Sequence, residues 1–237
     1  MQRVKTLTGH VVPGLGDGAA ARPRPAPVAA AGEKPRLHYF PIAGRGELSR
    51  LVAAAGGLEL EFQVAGKEAA ADFFGALPVL SHGNLKICQS LAIESYLAAI
   101  APNFKALTPQ QRAIDDMYAG IKEDVIGGCA KVLFGARETA PQAIPEVLDR
   151  FLGGVERMLP ASGFVLGLSH PTMADLAVLV MARAQLPIGA AIKLAGGYDL
   201  ATKFPKICAL AEKTANSPGV KEYLAGSKTF AGVLPGM

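Results

Sequence analysis

LPVLSHGNLKICQSLAIESYLAA, residues 77–99, decides how the rest of the chain is read. Leu77–Leu80 and Leu85–Cys88 are short apolar runs separated by Ser81, His82, Gly83 and Asn84, the pattern of a strand, a turn and a second strand. The hairpin runs straight into a helix. Ser90 stands where an N-cap belongs, Glu94 follows in the first turn, and Leu91, Ile93, Tyr96 and Leu97 supply apolar positions behind it. A helix start carries unpaired N–H groups and a partial positive charge, so a carboxylate can dock there. Pro78 inside an apparent strand requires either an edge position or a special backbone geometry. A cis Leu77-Pro78 bond would expose main-chain groups to a ligand, whereas a trans edge proline would be purely structural.

Working outward, Arg36–Phe40 reads as a strand, Pro41–Gly46 as a loop, and Glu47–Ala55 as a helix ended by Gly56-Gly57. Leu58–Val64 returns as a second strand with Leu58, Leu60, Phe62 and Val64 alternating. Strand, helix, strand over this span implies a right-handed parallel crossover. The order is then βαβ followed by ββα, ending near Ala101. Pro102–Leu107 is a linker, and Thr108-Pro109 starts a helix with a cap and a proline at the first helical position. Beyond it the periodicity predicts only helices, over about 108–134, 142–159, 172–186, 204–216 and 218–226. Phe164–Leu166 is the one short strand-like run. The expected organisation is a tail over 1–34, an α/β domain over 35–101, a linker over 102–107, an all-helical domain over 108–227 and a C-terminal tail over 228–237.

Composition sets bounds on function. A chain of 237 residues with half of them hydrophobic holds one large or two small cores. The net charge is only +4 and the basic residues are interspersed with acids, so no nucleic-acid surface is expected. The apolar run Leu176–Ala182 stops at Arg183, short of the roughly 20 residues a membrane helix needs, so no membrane is expected either. Cys88, Cys129 and Cys208 are odd in number and far apart, which argues against a disulfide framework or a zinc site and for a reducing compartment. Cys88 reads as a small core residue. Residues 1–34 are rich in Ala, Gly, Pro and Arg and hold only Asp17 and Glu33 as acids, so they read as a disordered tail or an organelle transit peptide. The expected location is cytoplasmic for a tail, plastid or mitochondrial for a transit peptide. Gly14, Gly16 and Ala19 mimic a dinucleotide fingerprint by accident, since Arg22-Pro23-Arg24-Pro25 stands where its helix would have to be.

Pro78, the hairpin and Gln89-Ser90 resemble the glutathione-binding half of a thioredoxin-like domain, as found in cytosolic glutathione transferases. Two further stretches are similar to the helical domain of that family: GLSHPTMADLAVL, 167–179, in which Thr172 and Asp175 have capping-box spacing, and FPKICALAEKTANSPGVKEYL, 204–224. YFPIAGRGELSR, 39–50, resembles the sigma class, which includes glutathione-dependent prostaglandin D synthases. The resemblance implies a thioredoxin-like N-terminal domain, an all-α C-terminal domain and a homodimer. It also implies glutathione as cosubstrate, a small apolar electrophile as second substrate, and no metal or bound organic cofactor. The same site would serve prostaglandin isomerisation or peroxide reduction.

The chemistry such a site must do is to hold a thiol as thiolate at neutral pH, against an ordinary thiol pKa of about 8.5. By the resemblance Tyr39 is the group that stabilises the sulfur, assisted by Arg45, whose cation would favour the thiolate and lower the phenol pKa. Gln89 and Ser90 hold the γ-glutamyl carboxylate, and Leu77 with Pro78 offers main chain to the cysteinyl part. Asp124 reaches across the dimer to the glutathione ammonium, with Glu123 in its place if the register shifts by one. Ile126, Leu133 and Phe134 are candidates to line the electrophile site, or are simply core. One departure stands out. AGKEAAADFFGA, 65–76, is shorter than the family's usual segment there, and the chain has no Trp to help grip the glycine carboxylate. Lys67 is the one replacement cation in that segment. Losing such a charged contact costs about 1.5–3 kcal/mol, so a non-catalytic binding or structural relative with a weakened site is the rival reading.

Overall fold

The computed structural model describes residues 33–227; of the expected tails, 1–34 and 228–237, all but residues 33 and 34 lie outside the described residues. β1 (Arg36–Tyr39) pairs in parallel with β2 (Glu61–Val64) and antiparallel with β3 (Val79–His82), which turns into β4 (Leu85–Cys88). The strand order is β2-β1-β3-β4. α1 (Glu47–Gly56) makes the crossover between the parallel strands and ends on Gly57, whose left-handed φ of 67° lets its N–H turn back to the carbonyls of Ala53 and Ala54. Leu37, Leu80, Leu48 and Leu51 are fully buried where sheet and helix meet. The Leu77-Pro78 bond is cis, immediately before β3. A thioredoxin-like sheet domain followed by a helical domain is therefore the fold.

The alternation in Leu58–Val64 overstates the second strand. Leu58 and Leu60 pack on the core but precede the paired residues, and Phe62 and Val64 are 40% and 60% exposed. β2 is an edge strand with one neighbour, so period-two hydrophobicity there has no second layer to fill. Phe62 instead carries the Arg50 guanidinium 4.3 Å above its ring.

α2 (Ser90–Ile100) packs between α1 and the long α3 (Pro109–Phe134). Thr108 and Gln111 start α3 with a reciprocal capping box: the Gln111 N–H donates to the Thr108 hydroxyl at 3.2 Å, and the Thr108 N–H to the Gln111 side chain at 2.9 Å. α4 (Ala140–Met158), α5 (Met173–Arg183), α6 (Ala190–Leu194), α7 (Leu200–Lys203), α8 (Pro205–Ala215) and α9 (Val220–Gly226) complete the domain. Phe164–Leu166 is a turn and not a strand. α5 is central, buried without interruption from Met173 to Met181. At its start Asp175 accepts the N–H groups of Thr172 and Val165, each at 2.8 Å. Asp115 reaches over from α3 to accept the Thr172 hydroxyl at 2.6 Å and the Ala174 N–H at 2.9 Å. Burial pushes Asp175 up to about 6 and raises Asp115 as well.

The stretch Met173–Leu194 is long and apolar enough by composition to cross a membrane, with a mean hydropathy of 1.5 over its most apolar window. Here it is not one helix. α5 stops at Arg183, Leu186 is extended at φ −126° and ψ 133°, and two thirds of the window is buried inside the protein.

Candidate glutathione cleft

The loop from Phe40 to Gly46 is wrapped tightly around the Tyr39 ring. A Cβ on Gly44 would stand 2.4 Å from the Tyr39 hydroxyl, and one on Gly46 would stand 2.4 Å from the ring edge. Arg50, a residue the sequence reading passed over, pins that loop from behind. Its guanidinium donates to the carbonyls of Ile42 at 3.0 Å and Phe40 at 3.3 Å and to Glu47 at 2.7 Å. Arg50 is recognisable only afterwards, because an arginine in the first turns of a helix ordinarily faces water.

Tyr39 is 5% exposed, and its oxygen accepts the Arg45 main-chain N–H at 2.9 Å. Its phenol is raised by burial, against the opposing pull of that N–H and of the Arg50 and Arg45 charges. The expected lowering by Arg45 is present but outweighed by burial. The Arg45 side chain points to Glu123 on α3, with Nε 2.7 Å from Oε2, and its charge is largely spent there.

Gln89 and Ser90 do sit at the head of α2, one residue out of the expected phase. Ser90 is the first helical residue, and Gln89 precedes it with a left-handed φ of 72°, a conformation a non-glycine residue adopts only when its surroundings impose it. Arg45, Leu77, Pro78, Gln89 and Ser90 converge on a cleft of about 320 Å³, together with Phe74, Cys88 and Glu123. Cys88 is thus half-buried at a cleft and not in the core. Asp124 does not line this cleft; it is exposed on α3, and the neighbouring Glu123 faces inward. Ile126 and Leu133 are buried among the helices, while Phe134 is 61% exposed.

Glu123 ends a line of alternating charges that the sequence did not announce. Fully buried Lys122 donates at 2.6 Å to Glu94 and at 2.6 Å to Glu123, which in turn holds Arg45. Burial works to raise Glu123 but is outweighed by the charge and hydrogen bond of Lys122, with further bonds from Arg45 and Ser90, so its carboxyl lies below the ordinary range. Glu94 is pushed up to about 7, by burial first and against Lys122. Segment 65–76 forms a short 3₁₀ turn, Lys67–Ala70, and a further turn; the Lys67 side chain lies outside the described residues. Among the described residues lining the cleft, Arg45 is the one cation. No group of metal-ligating side chains occurs among the described residues.

Comparison with known proteins gives this cleft its context. Residues 123–227 match the glutathione S-transferase C-terminal domain family. A Dictyostelium discoideum sequence named after the same family, alpha-3, is 29% identical over 198 residues, covering 81% of this chain and 94% of its own length. Glutathione S-transferase alpha-4 of Rattus norvegicus is 26% identical over 210 residues, 81% of this chain and 88% of its own. A solved Caenorhabditis elegans glutathione S-transferase superposes with a TM-score of 0.65 at 27% identity, over 82% of this chain and 98% of its own. These relatives are alpha-class and nematode proteins, so the similarity is to glutathione S-transferases in general and does not support the sigma class suggested by YFPIAGRGELSR. Sequence and fold are thus both similar to those of glutathione S-transferases.

Proposed function

We propose that this chain is a transferase that uses glutathione as cosubstrate in the cleft at the start of α2, with Tyr39, buried beside it and bonded to the main chain of cleft-lining Arg45, activating the thiol for attack on a small apolar electrophile. The observation that carries the reading is the state of Tyr39. Its oxygen already accepts the Arg45 N–H and burial keeps the phenol protonated, so the hydroxyl is left as a donor for a sulfur anion. A neutral donor of this kind lowers the thiol pKa by favouring the thiolate, and the thiolate then displaces a leaving group from the electrophile. Ser90, Gln89 and the free N–H groups of α2 suit the γ-glutamyl carboxylate, and the main chain at Leu77-Pro78 suits the cysteinyl portion.

Glu123 is the acid this reading assigns to the glutathione ammonium in the chain's own cleft; exposed Asp124 is left to face a second copy. A homodimer is supported by Phe74, which is 92% exposed beside the cleft. For the electrophile, the helix period puts Gly127, Ala130 and Phe134 on the α3 face that Glu123 occupies, and small residues followed by an exposed ring make an open apolar shelf. Ile126 and Leu133 are replaced in that role. A sigma-like specificity, including isomerase or peroxidase side activity, rests on Tyr39, Arg45 and the GRGE turn alone. A reducing cytoplasmic setting suits the three free cysteines.

The rival is a binding protein that keeps the fold with a weakened site, and the scarcity of cations in the cleft favours it. Glutathione conjugation of a chlorodinitrobenzene-type electrophile separates the two. We expect a saturable rate in glutathione that falls by roughly tenfold or more in Tyr39→Phe, about 1.4 kcal/mol or more of transition-state stabilisation, at unchanged Tm. No rate above background at high glutathione, with glutathione still bound by calorimetry, would establish the rival.

A further inference from the structure

The last helix of the chain reaches the Tyr39 loop by way of α1. α9 begins at Gly219, whose φ is 77° and on which a Cβ would stand 2.4 Å from the Ala54 carbonyl oxygen, so only glycine lets its start sit this closely on the last turn of α1. Val220, the next residue, is fully buried. One helical turn after Gly219, the Tyr223 hydroxyl donates to Glu47 Oε1 at 2.6 Å, at the first residue of α1. α9 thus lies along α1 from its last turn to its first residue, and its contact there joins positions 176 residues apart in sequence.

The contacts continue past Glu47. That side chain is fully buried, and its other oxygen accepts Arg50 Nη1 at 2.7 Å. Arg50, itself buried, donates onward to the Ile42 carbonyl at 3.0 Å and the Phe40 carbonyl at 3.3 Å, and its guanidinium stands 5.7 Å from the centre of the Tyr39 ring. Both carbonyls belong to the loop that brings the Arg45 N–H to the Tyr39 oxygen. One buried carboxylate therefore joins a phenol on α9 to the loop around the phenol of β1. A carboxylate held by a donor on each oxygen keeps its plane, and the guanidinium bonded to it keeps its direction. No α9 residue lines the cleft among the described residues, so Tyr223 acts through these contacts and not by touching a substrate.

We propose that Tyr223 is a positioning residue for Tyr39: by holding Glu47 against Arg50, it fixes the 40–46 loop so that the Arg45 N–H and the Tyr39 hydroxyl keep one relative geometry. The chemical half of this rests on the reading of Tyr39 as the group that activates the thiol. Without the Tyr223 hydroxyl, Glu47 loses one of its donors and can turn, Arg50 turns with it, and the hold on the two carbonyls slackens. A donor that is no longer aimed at the sulfur anion stabilises it less.

The test compares Tyr223→Phe with Leu224→Ala, which trims an α9 side chain packed on the core and leaves the Tyr223 hydroxyl in place. Amide hydrogen exchange over residues 40–46 is measured in the full chain without any thiol, and thiolate absorbance is titrated against pH in the glutathione complex. In Tyr223→Phe we expect exchange over 40–46 to be roughly tenfold faster, and the bound thiol to be roughly tenfold less ionised at a pH below its wild-type midpoint. Leu224→Ala should move neither, although its Tm falls. Unchanged exchange in Tyr223→Phe, faster exchange with an unmoved thiol titration, or equal effects in Leu224→Ala would each overturn the proposal. If the wild type shows no bound thiolate at any pH while exchange still separates the two variants, the glutathione reading alone falls and the hold of α9 on the loop stands.

Discussion

Two groups of buried acids hang on α3 within two helical turns of each other, and they are built in opposite ways. Around Asp115 and Asp175 the carboxylates end on backbone N–H groups and one hydroxyl, with no cation bonded to either. Around Lys122 the charges alternate, Glu94, Lys122, Glu123, Arg45, and run from the closed interior out to the cleft. Carboxylates that finish on main chain join α3 to the start of α5, so they make the fold. A ladder of opposite charges that ends at a solvent-accessible cleft sets the position and ionisation of its last members, so it makes the site. The difference between satisfied backbone and transmitted charge separates the two roles where burial alone does not, since Asp175 and Glu94 are both fully buried.

The sharpest way to break that distinction is to remove the central cation. Lys122→Met leaves buried Glu94 without its cation and Glu123 with only Arg45 and Ser90, and breaking a buried ion pair from one side costs about 3–5 kcal/mol. We expect a large fall in Tm and, in the fraction that remains folded, a raised half-saturation for glutathione, because Glu123 loses what holds it ionised beside Arg45 and Ser90. An unchanged glutathione titration in Lys122→Met would reduce the ladder to a structural device like the other cluster. Asp175→Ala should come next in size. It orphans the Thr172 and Val165 N–H groups, at about 1–3 kcal/mol each where no water reaches them. Here the glutathione titration should not move at all, and a shift in it would mean that the α5 start communicates with the cleft.

How far each cluster could be read in advance follows from the range of the interactions. Thr172 and Asp175 were legible because a capping box is written in four consecutive residues, and so were Thr108-Pro109 and the hairpin before Ser90. Asp115 was not, since its partners lie 57 and 59 residues away and nothing local marks an aspartate in mid-helix as buried. Lys122 reads on any periodicity as a solvated helix lysine; only the approach of α2 to α3 turns it inward onto Glu94. The same tertiary fact turns Glu123, and not Asp124, toward the cleft, because a shift of one residue on a helix turns a side chain by about 100° and the sequence alone does not say which face meets Arg45. The place of Tyr39 at the end of β1 was legible and its electrostatics were not. Arg45 is six residues away in sequence, but its guanidinium is claimed by an acid 78 residues away, leaving its main-chain N–H as the contact that matters.

The smallest effect concerns the inner end of the ladder, and its sign is fixed by linkage. Glu94 is fully buried, one of its carboxylate oxygens has no hydrogen-bond partner, and its carboxyl is raised from 4.5 to about 7 by burial, with Lys122 opposing. Between those two values the folded chain retains a proton that the unfolded chain has released. The native state then binds more protons than the unfolded state, so this group's contribution makes stability fall as pH rises through the window and become constant above it. An upper bound on the effect is on the order of 3 kcal/mol, several degrees in Tm for a chain of this size. Asp175, raised to about 6, acts in the same direction and is present in both proteins of a comparison between wild type and Glu94→Gln, so the difference between their melting curves isolates Glu94. Between about pH 5 and pH 7.5 the wild-type Tm should decline more steeply than that of Glu94→Gln. Parallel curves would mean that Lys122 keeps Glu94 ionised throughout. The inner rung would then be a fixed ion pair, and only its outer members, Glu123 and Arg45, could respond to what enters the cleft.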